Sequence, residues 1–200
     1  MNPNFMFPRI DRNLLDYREL DYRQGKIIEN DDADKMNIVF LDIDGVISPY
    51  SGEIDRHNLE GLSKYLAWKY HDDIYTRIRE RDIGLAYYEW DLEALGKLKK
   101  FLNNIEAEVV IHSYWCWNTD LDYLKALFRL YSMDEYIYDK MQAGDKKENI
   151  KKYLELHKDI IENYVIFDDD ASVQFDDHFV LTKKVLTQKN IKDAYKIFDR

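Results

Sequence analysis

Three short polar clusters stand where a reactive site would need them. Asp42-Ile43-Asp44-Gly45 follows the apolar run Met36–Leu41, His112-Ser113 follows Val109-Val110-Ile111, and Asp168-Asp169-Asp170 follows Tyr164–Phe167. Carboxylates gathered this closely repel one another unless they are protonated or neutralised, and a hard cation with oxygen ligands neutralises them. Mg²⁺ suits a site that keeps waters and meets a substrate phosphate. In such a site one carboxylate not fully committed to the metal can attack phosphorus and form an aspartyl phosphate. A second, two residues on, can protonate the leaving oxygen and then activate water. Ser113 can bond a phosphoryl oxygen, and a lysine can balance the charge building on the transferring group.

These clusters need a scaffold that brings them together. Met36–Leu41 is a continuous apolar run bounded by polar residues and glycine, which suits a strand buried on both faces. Val109–Ile111, Tyr164–Phe167 and His178–Leu181 are similar, and Tyr136–Tyr138 is a weaker candidate. Helical patterns lie between them. Asp91–Asn103 places Leu92, Leu95, Leu98 and Leu102 on one face behind an Asp cap. Asp120–Leu130 does the same with Leu121, Leu124, Leu127 and Phe128. Asp145–His157 offers Ile150, Tyr153, Leu154 and Leu156, and Asn190–Phe198 closes the chain. Strands alternating with helices predict an α/β fold, a doubly wound, three-layer, Rossmann-like parallel sheet covered on both faces. In such sheets ligands bind outside the carboxyl ends of the strands, where all three polar clusters fall.

Two segments stand apart from this pattern. Residues 1–35 alternate charged and apolar positions and end in the polar break Asn30–Asp34, which predicts an appended arm with one short helix at Arg12–Arg23. The 45 residues Val46–Trp90 far exceed the usual βα connection of roughly 2–6 residues. They hold Leu59, Leu62 and Leu66 at helical spacing and the charged stretch Arg77–Arg81, and long insertions of this kind are often lids or binding loops. Residues 36–200 are then the catalytic domain, with 48–88 as a lid-like helical insertion.

Composition narrows the function classes. With 46% hydrophobic and 34% charged residues among 200, the chain is globular and is expected to form one domain. Acidic residues outnumber basic ones 39 to 29, for a net charge of −10, which argues against a general duplex-binding surface. No apolar run approaches the ~20 residues that cross a bilayer. The first ten residues lack the basic and apolar regions of a secretory signal. A single cysteine, Cys116, excludes an internal disulfide and suits a reducing, cytoplasmic setting. None of this sets an oligomeric state.

With these residues in order, the sequence resembles the haloacid-dehalogenase (HAD) superfamily. Asp42-Ile43-Asp44-Gly45 after an apolar strand looks like motif I, and Ser113, Lys146 or Lys147, and Asp168-Asp169 fall in order for motifs II, III and IV. The likeness is closer to the HAD domains of Swiss Army Knife RNA-repair proteins. It rests on Trp90–Ala94, Ser113-Tyr114-Trp115, Gly144–Leu154 and Tyr164–Asp170, and it covers roughly Met36–Phe198 apart from the insertion. The resemblance implies Asp42 as nucleophile and metal ligand, and Asp44 as acid/base with its backbone carbonyl on the metal. It implies Asp169 as the direct ligand from motif IV with Asp168 beside it, and either Lys146, which the branch favours, or Lys147 as the motif III lysine. It implies Mg²⁺ as cofactor and a small phosphorylated substrate or nucleic-acid end as partner. One departure matters. The branch usually carries Ser-Ser-Trp-Arg at motif II, where this chain has His112-Ser113-Tyr114-Trp115-Cys116. The missing Arg weighs against RNA-end repair but not against phosphatase chemistry.

Blander readings stand beside these. An Asp-x-Asp-Gly also occurs in calcium loops, but counting from Asp42 finds Ile47 at the sixth position, where the EF-hand needs glycine. Cys116 beside aromatics reads as a small buried hydrophobe. His112 reads as packing at a strand end, and Trp115 and Trp117 as packing residues, with base stacking the lesser alternative. Two other functions fit the same pocket: a non-catalytic module that binds a phosphorylated ligand, and a phosphotransferase whose lid excludes water.

Overall fold

Met36–Leu41 forms strand β1, the centre of a five-stranded, all-parallel sheet of order β3-β2-β1-β4-β5. The computed structural model describes residues 35–49 and 57–199. The arm expected at 1–35, with its helix at Arg12–Arg23, therefore lies outside the described residues apart from Lys35. The other strands are β2 (Ala107–Ile111), β3 (Ile137–Lys140), β4 (Ile161–Asp168) and β5 (Phe179–Leu181). Parallel neighbours need crossovers, and helices α3 (Leu92–Ile105), α4 (Leu121–Arg129) and α5 (Lys146–Leu156) supply them. Helix α6 (Gln188–Phe198) follows β5.

Each crossover helix starts where a local signal tells it to. Asp91, Asp120 and Asp145 cap α3, α4 and α5 by accepting the backbone N–H groups of Ala94, Tyr123 and Glu148, and Thr187 and Asn190 close a capping box on α6. Helices α3 and α6 cover one sheet face, where Phe101 of α3 meets Phe167 of β4 and Phe198 of α6 edge to face, with ring centroids 5.9 and 5.8 Å apart. On the other face Ile150 of α5 packs with Ile38, Phe40, Val110 and Ile166. Two leucines expected on buried faces are not there. Leu92 and Leu156 lie in the end turns of α3 and α5 and are exposed, 58% and 79%.

The chain runs outward through β2 and β3 on one side of β1, then through β4 and β5 on the other, so β1 borders the switch in winding direction. Register does the rest. Leu41 pairs with Ile111 on one side and Phe167 on the other, so the next residues, Asp42, His112 and Asp168, emerge abreast at the same sheet edge. The insertion is helical, with α1 (Leu62–Tyr70) and α2 (Glu80–Gly84). It packs along α4: the Tyr75 hydroxyl donates to the Ala126 carbonyl at 2.9 Å, and Arg129 pairs with Asp72 at 2.7 Å. Arg79, from the charged stretch, is committed to Asp82 at 2.7 Å.

Candidate active site

Asp42 is buried at the end of β1. Its Oδ1 accepts the Ile43 backbone N–H at 2.8 Å and its Oδ2 accepts Lys146 Nζ at 2.7 Å. The chain then turns sharply, with the Ile47 and Ser48 N–H groups both donating to the Ile43 carbonyl at 2.9 Å. Gly45 makes the turn possible. Its φ of +74° favours glycine, and a Cβ there would collide with the Asp169 carboxylate. The Thr182 hydroxyl, just past β5, fixes the same turn by donating to the Gly45 carbonyl at 2.8 Å.

Asp168 ends β4 fully buried. Its Oδ1 accepts the Asp170 N–H at 2.8 Å, and its Oδ2 accepts Lys146 Nζ at 3.0 Å. Lys146, in the first turn of α5, thus bridges the two central carboxylates. Lys147, about 100° further round the helix, makes neither contact. Carboxylate oxygens of Asp42, Asp168 and Asp169 come within 4.8 Å of one another. One ammonium does not balance them. Burial, and then the charge of Asp42, push the Asp168 carboxyl up to about 6 and raise that of Asp169. Burial opposes the charge on Lys146, but Asp42 and Asp168 outweigh it and hold the ammonium at about 12. An all-oxygen cluster short of positive charge is the donor set a hard divalent cation takes.

Asp44 is only partly buried. Its Oδ2 accepts the indole N–H of Trp115 at 2.9 Å. Burial raises its carboxyl, the Trp115 hydrogen bond opposes that, and Asp42 and Asp169 add to the rise. Ser113 is buried at the end of β2 and caps the single turn Tyr114–Cys116, its Oγ accepting the Trp115 N–H at a long 3.4 Å. A small pocket beside Lys146 is lined by Ser113, His112, Tyr114, Trp117, Gly144 and Asn149, among others.

The structure therefore gathers Asp42, Asp44, Ser113, Lys146, Asp168 and Asp169 at one sheet edge and separates Lys147 from them. Asp170 is exposed and caps a turn by accepting the Ser172 N–H. His112 packs beneath the cluster, its Nδ1 3.5 Å from Asp168 Oδ2, too far for a formed hydrogen bond, and burial drives its imidazole down to about 4. Cys116 is buried, which pushes its thiol up to about 11 and removes it as a nucleophile. Trp115 and Thr182 are the two supports the sequence did not announce. A buried indole N–H needs an acceptor, which was the one available hint for Trp115.

Residues 38–191 match the family model described as the HAD domain in Swiss Army Knife RNA repair proteins. The chain belongs to this HAD family. The match spans every residue gathered at the sheet edge, and the five-stranded parallel sheet with helices on both sides is consistent with the HAD Rossmann-like fold. A search of curated proteins gave no match. HAD membership and the acidic cluster together support a HAD-type phosphatase or RNA-repair role. Among the described residues, no helix is long and apolar enough to cross a membrane.

Proposed function

We propose that the protein is a Mg²⁺-dependent phosphatase that hydrolyses a phosphomonoester, a nucleotide or a nucleic-acid end, through an aspartyl phosphate on Asp42. The observation that carries this is Lys146 Nζ lying 2.7 Å from Asp42 and 3.0 Å from Asp168, with Asp44 two residues beyond Asp42 and held separately by Trp115. A nucleophile and an acid/base of the same chemical type are thereby given different environments, which is how two carboxylates take two roles.

In the first step an Asp42 carboxylate oxygen bonds to phosphorus as the ester P–O bond breaks, and Asp44 gives its proton to the leaving oxygen. The raised carboxyl of Asp44 suits it to hold that proton. Asp44 then takes a proton from water, whose oxygen attacks phosphorus and releases phosphate from Asp42. Lys146 and Ser113 face the phosphoryl oxygens from α5 and β2. Asp42, Asp169 and Asp168, with the Asp44 carbonyl, would hold Mg²⁺, which when bound stabilises negative charge on those oxygens. The cytoplasm is the proposed place of action, in keeping with a chain whose only cysteine is free.

The test is phosphate release by the purified chain from phosphomonoesters, including mononucleotides and 3′- and 5′-phosphorylated oligonucleotides, with Mg²⁺ or with chelator. Release that needs Mg²⁺ is expected. Silence across all of them, with Mg²⁺ still bound, would favour a non-catalytic phospholigand-binding module.

A further inference from the structure

On the phosphatase reading, the phosphoryl group sits by Lys146 and Ser113, and the rest of the substrate extends along the wall of the adjoining pocket. Two large rings form that wall at unusual exposure. Tyr114 is 67% and Trp117 49% exposed, while Trp115 and Cys116 between them are buried. The chain here thus sends Trp115 inward to Asp44 and Cys116 inward to the Ile111 carbonyl, and presents the flanking two residues outward. The outward rings meet edge to face, with centroids 5.7 Å apart and planes at 67°, forming an open aromatic corner. That corner is tied to the phosphate end, since Lys146 Nζ lies 5.5 Å from the Tyr114 ring centroid. On the same pocket, Gln142 is exposed and offers a carboxamide with both donor and acceptor. Beneath it lies the buried His112, its Nδ1 3.5 Å from Asp168 Oδ2.

We propose that Tyr114 and Trp117 form a base-stacking subsite, so that the substrate is a nucleotide, free or at an unpaired strand end, rather than a sugar or polyol phosphate. Bases present a π-face that stacks on aromatic side chains whatever their identity, and polar groups at the rim read their edges. A base inside a duplex offers no free face. With a net charge of −10 on the protein, a long polyanion gains nothing from added phosphates. This inference rests on the phosphatase reading for the position of the phosphate.

The experiment compares kcat/KM for adenosine 5′-monophosphate with that for ribose 5-phosphate, which lacks only the base. The wild-type protein is expected to prefer the nucleotide by about tenfold or more, and Trp117→Ala to lower that ratio by about tenfold. Trp117→Phe keeps a ring and should keep most of the preference. Trp68→Ala is the control, because Trp68 is 71% exposed on α1 and outside the pocket. Short 5′-phosphorylated oligonucleotides in parallel distinguish a free nucleotide from a strand end. A wild-type ratio near one, or a Trp117→Ala variant that slows both esters equally, would overturn the subsite while leaving the phosphatase intact. If no ester is turned over, the phosphatase reading has failed, and calorimetric titration of the Asp42→Asn protein with the same two ligands decides the subsite. Tighter binding of the nucleotide that Trp117→Ala abolishes supports it, and equal binding of both ligands overturns it.

Discussion

The indole N–H of Trp115 donates to Oδ2 of Asp44 at 2.9 Å, across 71 residues of sequence. That bond fixes a site carboxylate that Lys146 does not hold. Trp115 is itself wedged behind the site, its ring 5.7 Å from that of Trp90, so the support comes from a packed aromatic layer.

If Trp115 positions Asp44 as general acid, Trp115→Phe should lower kcat on esters with poor leaving groups by about 10- to 100-fold, the worth of a hydrogen bond to a charged group. Esters with good leaving groups, such as nitrophenyl phosphate, need little protonation and should show a much smaller loss. An equal loss on both would mean that the indole only packs.

Lys146 and Lys147 should separate cleanly. Lys146→Met leaves Asp42 and Asp168 buried without their cation and is expected to destabilise the metal-free protein by up to roughly 3 kcal/mol, as well as to abolish turnover. Lys147→Met should change stability by no more than about 0.5 kcal/mol. Denaturant unfolding of the two variants in chelator measures the difference.

Gly45→Ala would place a methyl group at φ +74° and into the Asp169 carboxylate. Destabilisation by more than about 1 kcal/mol is expected, together with weaker Mg²⁺ binding as Asp169 is displaced. Thermal unfolding and a Mg²⁺ titration check both.

Beneath the site two buried groups titrate in opposite senses. The Asp168 carboxyl is raised from 3.8 to about 6, so its contribution to stability is present below the lower value and lost as pH rises through the higher. The His112 imidazole is lowered from 6.5 to about 4, so its contribution is present above pH 6.5 and lost as pH falls through 4. The two offset each other over one window. In chelator, the stability of His112→Asn relative to wild type should therefore decline as pH rises from about 4 to about 6.5. A difference that stays level with pH would contradict the placement of an uncharged His112 beside Asp168.

What the sequence disclosed was local. Strand β1 matches the apolar run Met36–Leu41 residue for residue, because an abrupt change from apolar to Asp-x-Asp-Gly marks a strand end without outside help. Asp91, Asp120 and Asp145 announced three helices because capping is settled within one turn. The site residues fell at strand ends for the same reason. Hidden were the features that need tertiary geometry. The choice between Lys146 and Lys147 depends on the phase of α5 against β1 and β4. The contacts of Trp115 with Asp44 and of Thr182 with Gly45 join segments 71 and 137 residues apart. Leu92 and Leu156 fit their helical periods, yet in the first turn of α3 and the last of α5 they are exposed.

Passage of phosphate through Asp42 is tested most directly by acid-quenched mass spectrometry of the protein during turnover. A phosphoryl group is expected on the peptide carrying Asp42 in the wild-type protein, and neither that group nor phosphate release in Asp42→Asn. Full turnover by Asp42→Asn, with no phosphorylated aspartate at any time, would contradict it.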